Sequence, residues 1–192
     1  MPATNAPRRL PAEVRREQIL DAAQHVLLER GLRDTTMADV AAAAGVAKGT
    51  TYVHFESKDD VLAALRARYL VRLGAASSTP SAGNVHGQLR AMVVGLFRFS
   101  AANRRLHHLL FHEAGFSEAD AYADLRDRVA VLITAGVDSG EWRAADVALT
   151  TTFVVHGIHG ALVHSLHAGR DGRVPRVAGA VVELVERMLT PS

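Results

Sequence analysis

The chain contains no cysteine in its 192 residues. Disulfide bonds, thiolate zinc sites and a cysteine nucleophile are therefore all excluded. The N-terminus lacks the apolar segment of a signal peptide, and we expect no apolar run to approach the roughly twenty residues that cross a bilayer. These absences predict a cytoplasmic protein whose structure does not depend on redox state.

A large excess of one charge is also missing, since the formal net charge is +2. Lys and Arg number eleven against nine Asp and Glu through Arg72, and eleven against eleven from Leu73 onward. So small a balance does not indicate nucleic-acid binding by itself, and such an inference must rest on a motif. Paired carboxylates and Ser/His/Asp arrangements with a local signature are lacking, so we predict no enzyme and no cofactor.

No segment alternates apolar and polar residues between turns, so strands are not expected. Instead, apolar residues at i, i+3, i+4 and i+7 from Ile19 predict an amphipathic helix over 12–30, which Gly31 ends. Ser57 and Asp60 form a capping-box pattern that opens a connecting helix over 57–73. Further helices are predicted over about 85–102, 105–114, 118–137, 145–168 and 175–189. The predicted fold is all-α, with about nine helices.

The clearest break in composition is GAASSTPSAGN at 74–84. It divides the chain into residues 1–56, an N-terminal arm with a three-helix head, and residues 74–192, a helical body joined by the connecting helix 57–73. Residues 1–11 contain three prolines and end near Arg8 and Arg9. This arm either reaches a phosphate or minor groove or is a solvated, disordered tail.

The segment TTMADVAAAAGVAKGTTYVHF, Thr35 to Phe55, has the pattern of a DNA-reading helix-turn-helix. Thr36 and Asp39 form a capping box that starts the first helix. Gly45 supplies a tight turn in a left-handed conformation after an alanine run. The second helix then carries a cation, hydroxyls and an imidazole, groups that suit phosphates and base edges.

At GVAKGTTYVHFESKDDVLAAL, Gly45 to Leu65, the chain resembles the TetR family of bacterial transcriptional regulators. The resemblance extends to the first helix and, more loosely, to GVDSGEW at Gly136 to Trp142. It implies a helix-turn-helix DNA-binding head and a ligand-binding, dimerising body. It also implies a homodimeric regulator of the repressor type, which binds a palindromic operator and is released by a small-molecule ligand.

The family's DNA contacts fall on Thr36, Lys48, Gly49, Thr50, Tyr52, His54 and Lys58. Thr36 and Lys58, at helix N-termini, are expected to hold phosphates, and Lys48 and Thr50 to meet base edges. Gly49 lets the backbone approach the duplex, and Tyr52 and His54 donate to phosphates. Alternatively, Tyr52 is a half-buried packing residue and His54 a structural one.

Two positions depart from the family pattern. Ala47 stands where a serine usually caps the recognition helix, so a cap that contributes roughly 1 kcal/mol is expected to be missing. Thr51 replaces an inward-packing leucine and brings a hydroxyl that needs a partner. These departures affect the rigidity of the helix and leave its DNA-facing positions unchanged.

For the body, the resemblance implies dimerisation through the last two helices, where Gly157, Gly160, Ala161 and His164 share a face. The same stripe would also suit packing within one subunit. An effector pocket is expected among aromatic residues, with a histidine as its polar group, although these residues also suit an ordinary core. The candidates are Phe97, Phe111, Phe116, Tyr122, Trp142, Phe153 and His156.

Two other functions remain open. Histidines at spacings of three and four, His108 with His112 and His156 with His159, suit a metal-binding sensor or a helical metalloenzyme. Against both, no E-x-x-H pattern occurs, and His112-Glu113 does not continue into H-E-x-x-H, so no metal site is predicted. The last hypothesis is a DNA-binding adaptor whose body contains no pocket.

Overall fold

A computed structural model describes residues 11–78, 84–114, 122–167 and 174–190. Over these ranges the chain forms nine α-helices and no strand, which confirms the predicted all-α fold. The helices are α1 Ala12–Arg30, α2 Met37–Ala43, α3 Lys48–His54, α4 Lys58–Ala76, α5 Val85–Ala102, α6 Arg104–His108, α7 Ala123–Asp138, α8 Val147–His167 and α9 Val174–Leu189. Leu109–Glu113 continues α6 as a π-helical turn.

The helix-turn-helix forms where its local signals predict it. The Thr36 hydroxyl accepts the Asp39 N–H at 3.2 Å, and the Asp39 carboxylate accepts the Thr36 N–H at 2.9 Å, which completes the capping box. Gly45 takes a positive φ of 65° and turns the chain into α3. Gln18 on α1 donates to the Ala44 carbonyl at 2.8 Å, so the turn is also held from outside the motif.

The start of α4 differs from its prediction in one bond. Ser57 accepts the Asp60 N–H at 3.1 Å, as a capping box requires. The Asp60 carboxylate, however, accepts the N–H of Glu56 rather than that of Ser57, so the box is not closed on itself. The helix also runs past Leu73 to Ala76, and the high helix propensity of Ala75 and Ala76 favours this extension.

Two apolar clusters organise the chain, and α4 lies between them. The head cluster combines buried residues of α1, α2 and α4 with Leu106, Leu109 and Leu110. Although α6 and its π-helical turn belong to the predicted body by sequence position, their buried leucines pack with the head. Leu73 of α4 packs against both clusters, which joins the head core to the body core.

The body cluster is formed by α5, α7, α8 and α9. Two close approaches depend on glycine. A Cβ at Gly95 of α5 would lie 2.2 Å from the Ala76 carbonyl oxygen, and one at Gly136 of α7 would lie 2.3 Å from the Trp142 indole. The absent side chains therefore let the end of α4 pack on α5, and let the indole pack on α7.

Helix α8 overturns one expectation. Val147–Leu166 is long and apolar enough to cross a membrane by length and composition, with a mean hydropathy of 1.3. The expectation that no apolar run would approach this length was wrong, because α8 carries no Asp, Glu, Lys or Arg. A single helix of this kind is weak evidence for a membrane span. Only 28% of the stretch is buried inside the chain, so much apolar surface of α8 faces outward.

Several predictions fall outside the described residues. These are the roles of Arg8 and Arg9 and the pocket candidate Phe116. The helix predicted over 118–137 is described from Ala123 to Asp138, and the one predicted over 105–114 consists of α6 and its π-helical turn.

Candidate nucleic-acid interface and body cavity

Recognition helix α3 is anchored on one side and free on the other. Thr51 is buried and faces the head. Lys48, Gly49, Tyr52 and Val53 are exposed. Ala47 is the N-cap residue of α3 and makes no side-chain capping bond, as the sequence predicts. A short helix with one buried residue and an exposed edge has the shape that a major groove accepts.

The exposed edge of α3 combines the charge of Lys48 with an exposed main chain at Gly49. A Cβ built on Gly49 meets nothing within 4 Å, so the main chain is bare at this point. Thr50, one residue further, is half-buried, and it borders a surface groove together with Gly49 and Val53. These positions give a partner access to both the backbone and the side chains of α3.

Tyr52 and Lys48 are neighbours on the outer surface of α3. The Lys48 ammonium lies 5.9 Å from the centre of the Tyr52 ring, a cation–π distance. Tyr52 is 44% exposed, and His54 in the last turn is half-buried. The exposure of Tyr52 thus leaves its expected role as a phosphate donor sterically open.

The two residues expected to hold phosphates, Thr36 and Lys58, form hydrogen bonds within the head. The Thr36 hydroxyl bonds the Asp39 carboxylate at 2.6 Å. Hydrogen bonds from the hydroxyl and main-chain N–H of Thr36 hold the pKa of Asp39 below its usual value, so a negatively charged carboxylate lies next to Thr36. Lys58 donates to the carbonyls of Leu32 and Thr35, at 2.8 and 3.1 Å. Two of its three ammonium protons are therefore committed to the loop before α2.

The Thr51 hydroxyl is buried with no hydrogen-bond partner. We expect Thr51→Val to raise the free energy of unfolding by about 1 kcal/mol, because it removes an unsatisfied buried hydroxyl at similar volume. The melting temperature should rise by about 2–4 °C in a calorimetric scan.

Thr35→Val is the matched control. Thr35 is also buried, but its hydroxyl donates to the Gly31 carbonyl at 2.7 Å, so this variant should lose stability. A fall in melting temperature for both variants would contradict the account of Thr51.

A cavity of about 70 Å³ lies in the body next to α4. Seven of its twelve lining residues are apolar or glycine, and the polar ones are His107, Tyr122, Asp124, Arg128 and His159. The Tyr122 hydroxyl bonds His159 Nδ1, and the Tyr69 hydroxyl lies 3.0 Å from His107 Nδ1. Burial raises the pKa of Tyr69 to about 12, so this phenol stays neutral at physiological pH. The remaining lining residues are Leu70, Leu73, Gly74, Leu96, Phe111, Leu125 and Leu162.

Only some pocket candidates meet at this cavity. Phe111 and Tyr122 line it. Phe97 and Trp142 are buried in the body core, and Phe153 and His156 lie on the exposed face of α8. Sequence reasoning missed His107, Arg128 and His159 as lining residues, since no local pattern distinguishes them from other surface or core positions.

Among the residues that the structure describes, the histidines form no metal centre. Within the described ranges, no group of three or more His, Cys, Asp or Glu is placed to hold a metal ion. His156 is exposed and bonds the Thr152 carbonyl at 2.8 Å, whereas His159 bonds Tyr122. The two histidines therefore bond different partners.

In comparisons with known proteins, the family match covers the head. The model of the tetR family of bacterial regulatory proteins matches residues 19–65. The HTH-type transcriptional regulator TtgR of Pseudomonas putida is 31% identical over 113 residues, 56% of this chain and 54% of that protein. The HTH-type transcriptional repressor KstR2 of Rhodococcus jostii is 29% identical over 151 residues, 73% of this chain and 74% of that protein.

The chain thus spans about half the length of the first curated relatives it matches, and these relatives are named transcriptional regulators rather than enzymes. The fold extends further than the sequence similarity. The transcriptional regulator FadR from Bacillus subtilis, solved in complex with stearoyl-CoA, has a TM-score of 0.74 at 22% identity. That comparison covers 90% of this chain and 98% of FadR, and it shows the fold alone. The head thus matches the tetR family of bacterial regulatory proteins, and the whole chain is similar in fold to solved tetR-family regulators.

Proposed function

We propose that this protein is a homodimeric transcriptional repressor that binds a palindromic operator through α3 and releases it when a small molecule enters the body. The observation that carries the proposal is the exposed edge of α3 opposite the buried Thr51. Side chains there meet solvent although they belong to a helix fixed in the head. A helix held by one face and exposed along the other is the geometry with which a helix-turn-helix enters the major groove.

Lys48, Gly49 and Thr50 form the reading edge, with Tyr52 and His54 as phosphate donors beside it. Thr36 contributes from the start of α2 as a secondary contact, because its hydroxyl is shared with Asp39. Lys58 keeps one ammonium proton for a phosphate after its two main-chain bonds, so its main effect is to hold the head together. Residues 1–56, with the connecting helix at 57–73, constitute the DNA-binding domain.

The dimer is formed by α8 and α9, in the domain of residues 74–192. Leu149, Phe153, Leu184 and Met188 are large apolar side chains that these two helices leave exposed. Gly157 and Gly160 lie on the outward face of α8, where a second helix can approach closely. A two-fold dimer buries this face against its own copy, which pairs the two heads that a palindromic operator needs.

The effector binds at the cavity between α4, α6, α7 and α8. This placement suits regulation because Phe111 and His107 line the cavity while Leu109 and Leu110 pack in the head core. A ligand larger than 70 Å³ must displace the cavity walls, including α4 and the turn after α6. A ligand that fits only a conformation with displaced heads shifts the population away from DNA and derepresses transcription.

Alanine substitutions on α3 test the DNA-binding part. Lys48→Ala and Thr50→Ala should each weaken binding to a selected operator at least about fivefold, because contacts to base edges contribute roughly 1–3 kcal/mol. Lys48→Ala should also reduce the slope of log K against log salt by about one charge, because the lysine ammonium neutralises phosphate charge near its base contact. Thr50→Ala removes no charge and should leave the slope unchanged.

Fluorescence anisotropy with a labelled duplex measures both quantities. Arg90→Ala, an exposed change on α5, is the control that removes a positive charge from the body. Equal affinity losses for Arg90→Ala and Lys48→Ala would mean that general charge, and not α3, determines binding.

A further inference from the structure

Val53 is the most exposed large apolar side chain on the chain's described surface, at 81%. It lies in the last turn of α3 and borders the surface grooves on both sides of that helix. An isolated exposed valine is ordinary on a protein surface. Its position one turn after Gly49, on the edge proposed to read DNA, makes this one informative.

The neighbourhood of Val53 defines what it can meet. Residues four apart share a helix face, so Gly49 and Val53 form a strip of bare backbone followed by a small branched side chain. A Cβ on Gly49 meets nothing within 4 Å, and Thr50 borders the same groove. The Val53 side chain carries neither a charge nor a hydrogen-bond donor, so it cannot bond a phosphate.

In the major groove, the C5-methyl group of thymine is the apolar feature among hydrogen-bonding edges. An aliphatic side chain that reaches the base edges gains free energy by covering that methyl group. A polar side chain at the same position would instead prefer a donor or acceptor. We propose that Val53 is a specificity-determining residue that selects a thymine in each operator half-site by packing on its C5-methyl group.

This inference rests on the proposed function, and thymine replacement tests it separately. Each thymine of the selected operator is replaced by 2′-deoxyuridine, in both half-sites at once, which removes the methyl group and leaves base pairing intact. For the unaltered protein, we expect one symmetric pair of replacements to raise Kd about tenfold, or roughly three- to fourfold per half-site.

Val53→Ala should bind the thymine operator more weakly and should show no further loss at that deoxyuridine position. The non-additivity of the two changes identifies the contact. Val71→Ala, which truncates a valine that is 73% exposed on α4, should retain the full deoxyuridine effect. Circular dichroism melting of both variants should match the unaltered protein, since neither valine is part of a core.

The outcomes are distinct for the two proposals. Failure to bind any DNA would contradict the proposed function itself. Sequence-specific binding with no deoxyuridine effect at any thymine, an effect that survives in Val53→Ala, or a half-site without thymine would each overturn the role of Val53 alone.

Discussion

Phe153→Glu is expected to convert the protein to a monomer and to reduce operator affinity by at least about a hundredfold. Phe153 is 67% exposed on α8, on the face proposed to meet a second copy. Because a two-fold interface repeats every residue, one substitution buries two unpaired carboxylates, each of which costs several kcal/mol. Two heads that no longer share a dimer also lose the effective concentration that links their half-sites.

Light scattering after gel filtration measures the mass, and anisotropy measures operator affinity. Val131→Glu is the matched control, since Val131 is an exposed apolar residue at 71% on α7, outside the proposed interface. It should leave both the mass and the affinity unchanged. A Phe153→Glu protein that remains dimeric with full affinity would show that α8 and α9 do not form the interface.

Gly95→Ala is expected to destabilise the fold strongly, although it adds only one methyl group. Its Cβ would lie 2.2 Å from the Ala76 carbonyl oxygen and 2.9 Å from the Ser77 Cα, and both are backbone atoms. Neither can rotate away, so the end of α4 must move relative to α5. Overpacking of this kind costs roughly 3 kcal/mol, and the helix propensity of alanine offsets at most about 1 kcal/mol.

A calorimetric scan should show a melting temperature lower by about 4–12 °C. Gly179→Ala on α9 is the control, because a Cβ there meets nothing within 4 Å. That variant should be neutral or slightly stabilising through helix propensity. If Gly95→Ala behaves like Gly179→Ala, the close packing of α4 on α5 is wrong.

The parts of the fold that depend on local chemistry were predictable. The capping box of Thr36 and Asp39, the turn at Gly45 and the termination of α1 at Gly31 are set by residues within a few positions of one another. Local hydrogen bonds and backbone preferences are sufficient to determine such features. The bounds of α1 and α5 agree with prediction to the residue for the same reason.

Features that depend on long-range packing were not predictable. The chain position of α6 places it in the body, yet Leu106 and Leu110 complete the head core. Lys58 has the sequence context of a phosphate contact, but it turns toward carbonyls 23 and 26 residues away. Periodicity shows which residues of a helix share a face, and not which neighbour that face will meet.

The same limit applies to the candidate sites. On α3, the exposed edge follows from a motif of contiguous residues, so Lys48, Gly49 and Tyr52 are found on the surface. In the body, aromatic composition indicated a pocket but not its members, because Phe97 packs in the core and Phe153 faces outward. The cavity instead combines His107 and His159, which come together only in the folded chain.

Selection of bound duplexes from a random DNA pool by the full-length protein tests the central claim most directly. If α3 reads the major groove from a two-fold dimer, the enriched sequences will share a palindromic motif. Its half-sites will lie with their centres about one helical turn, or somewhat more, apart. Recovery of no enriched sequence, even at low salt where phosphate contacts are strongest, would contradict the account.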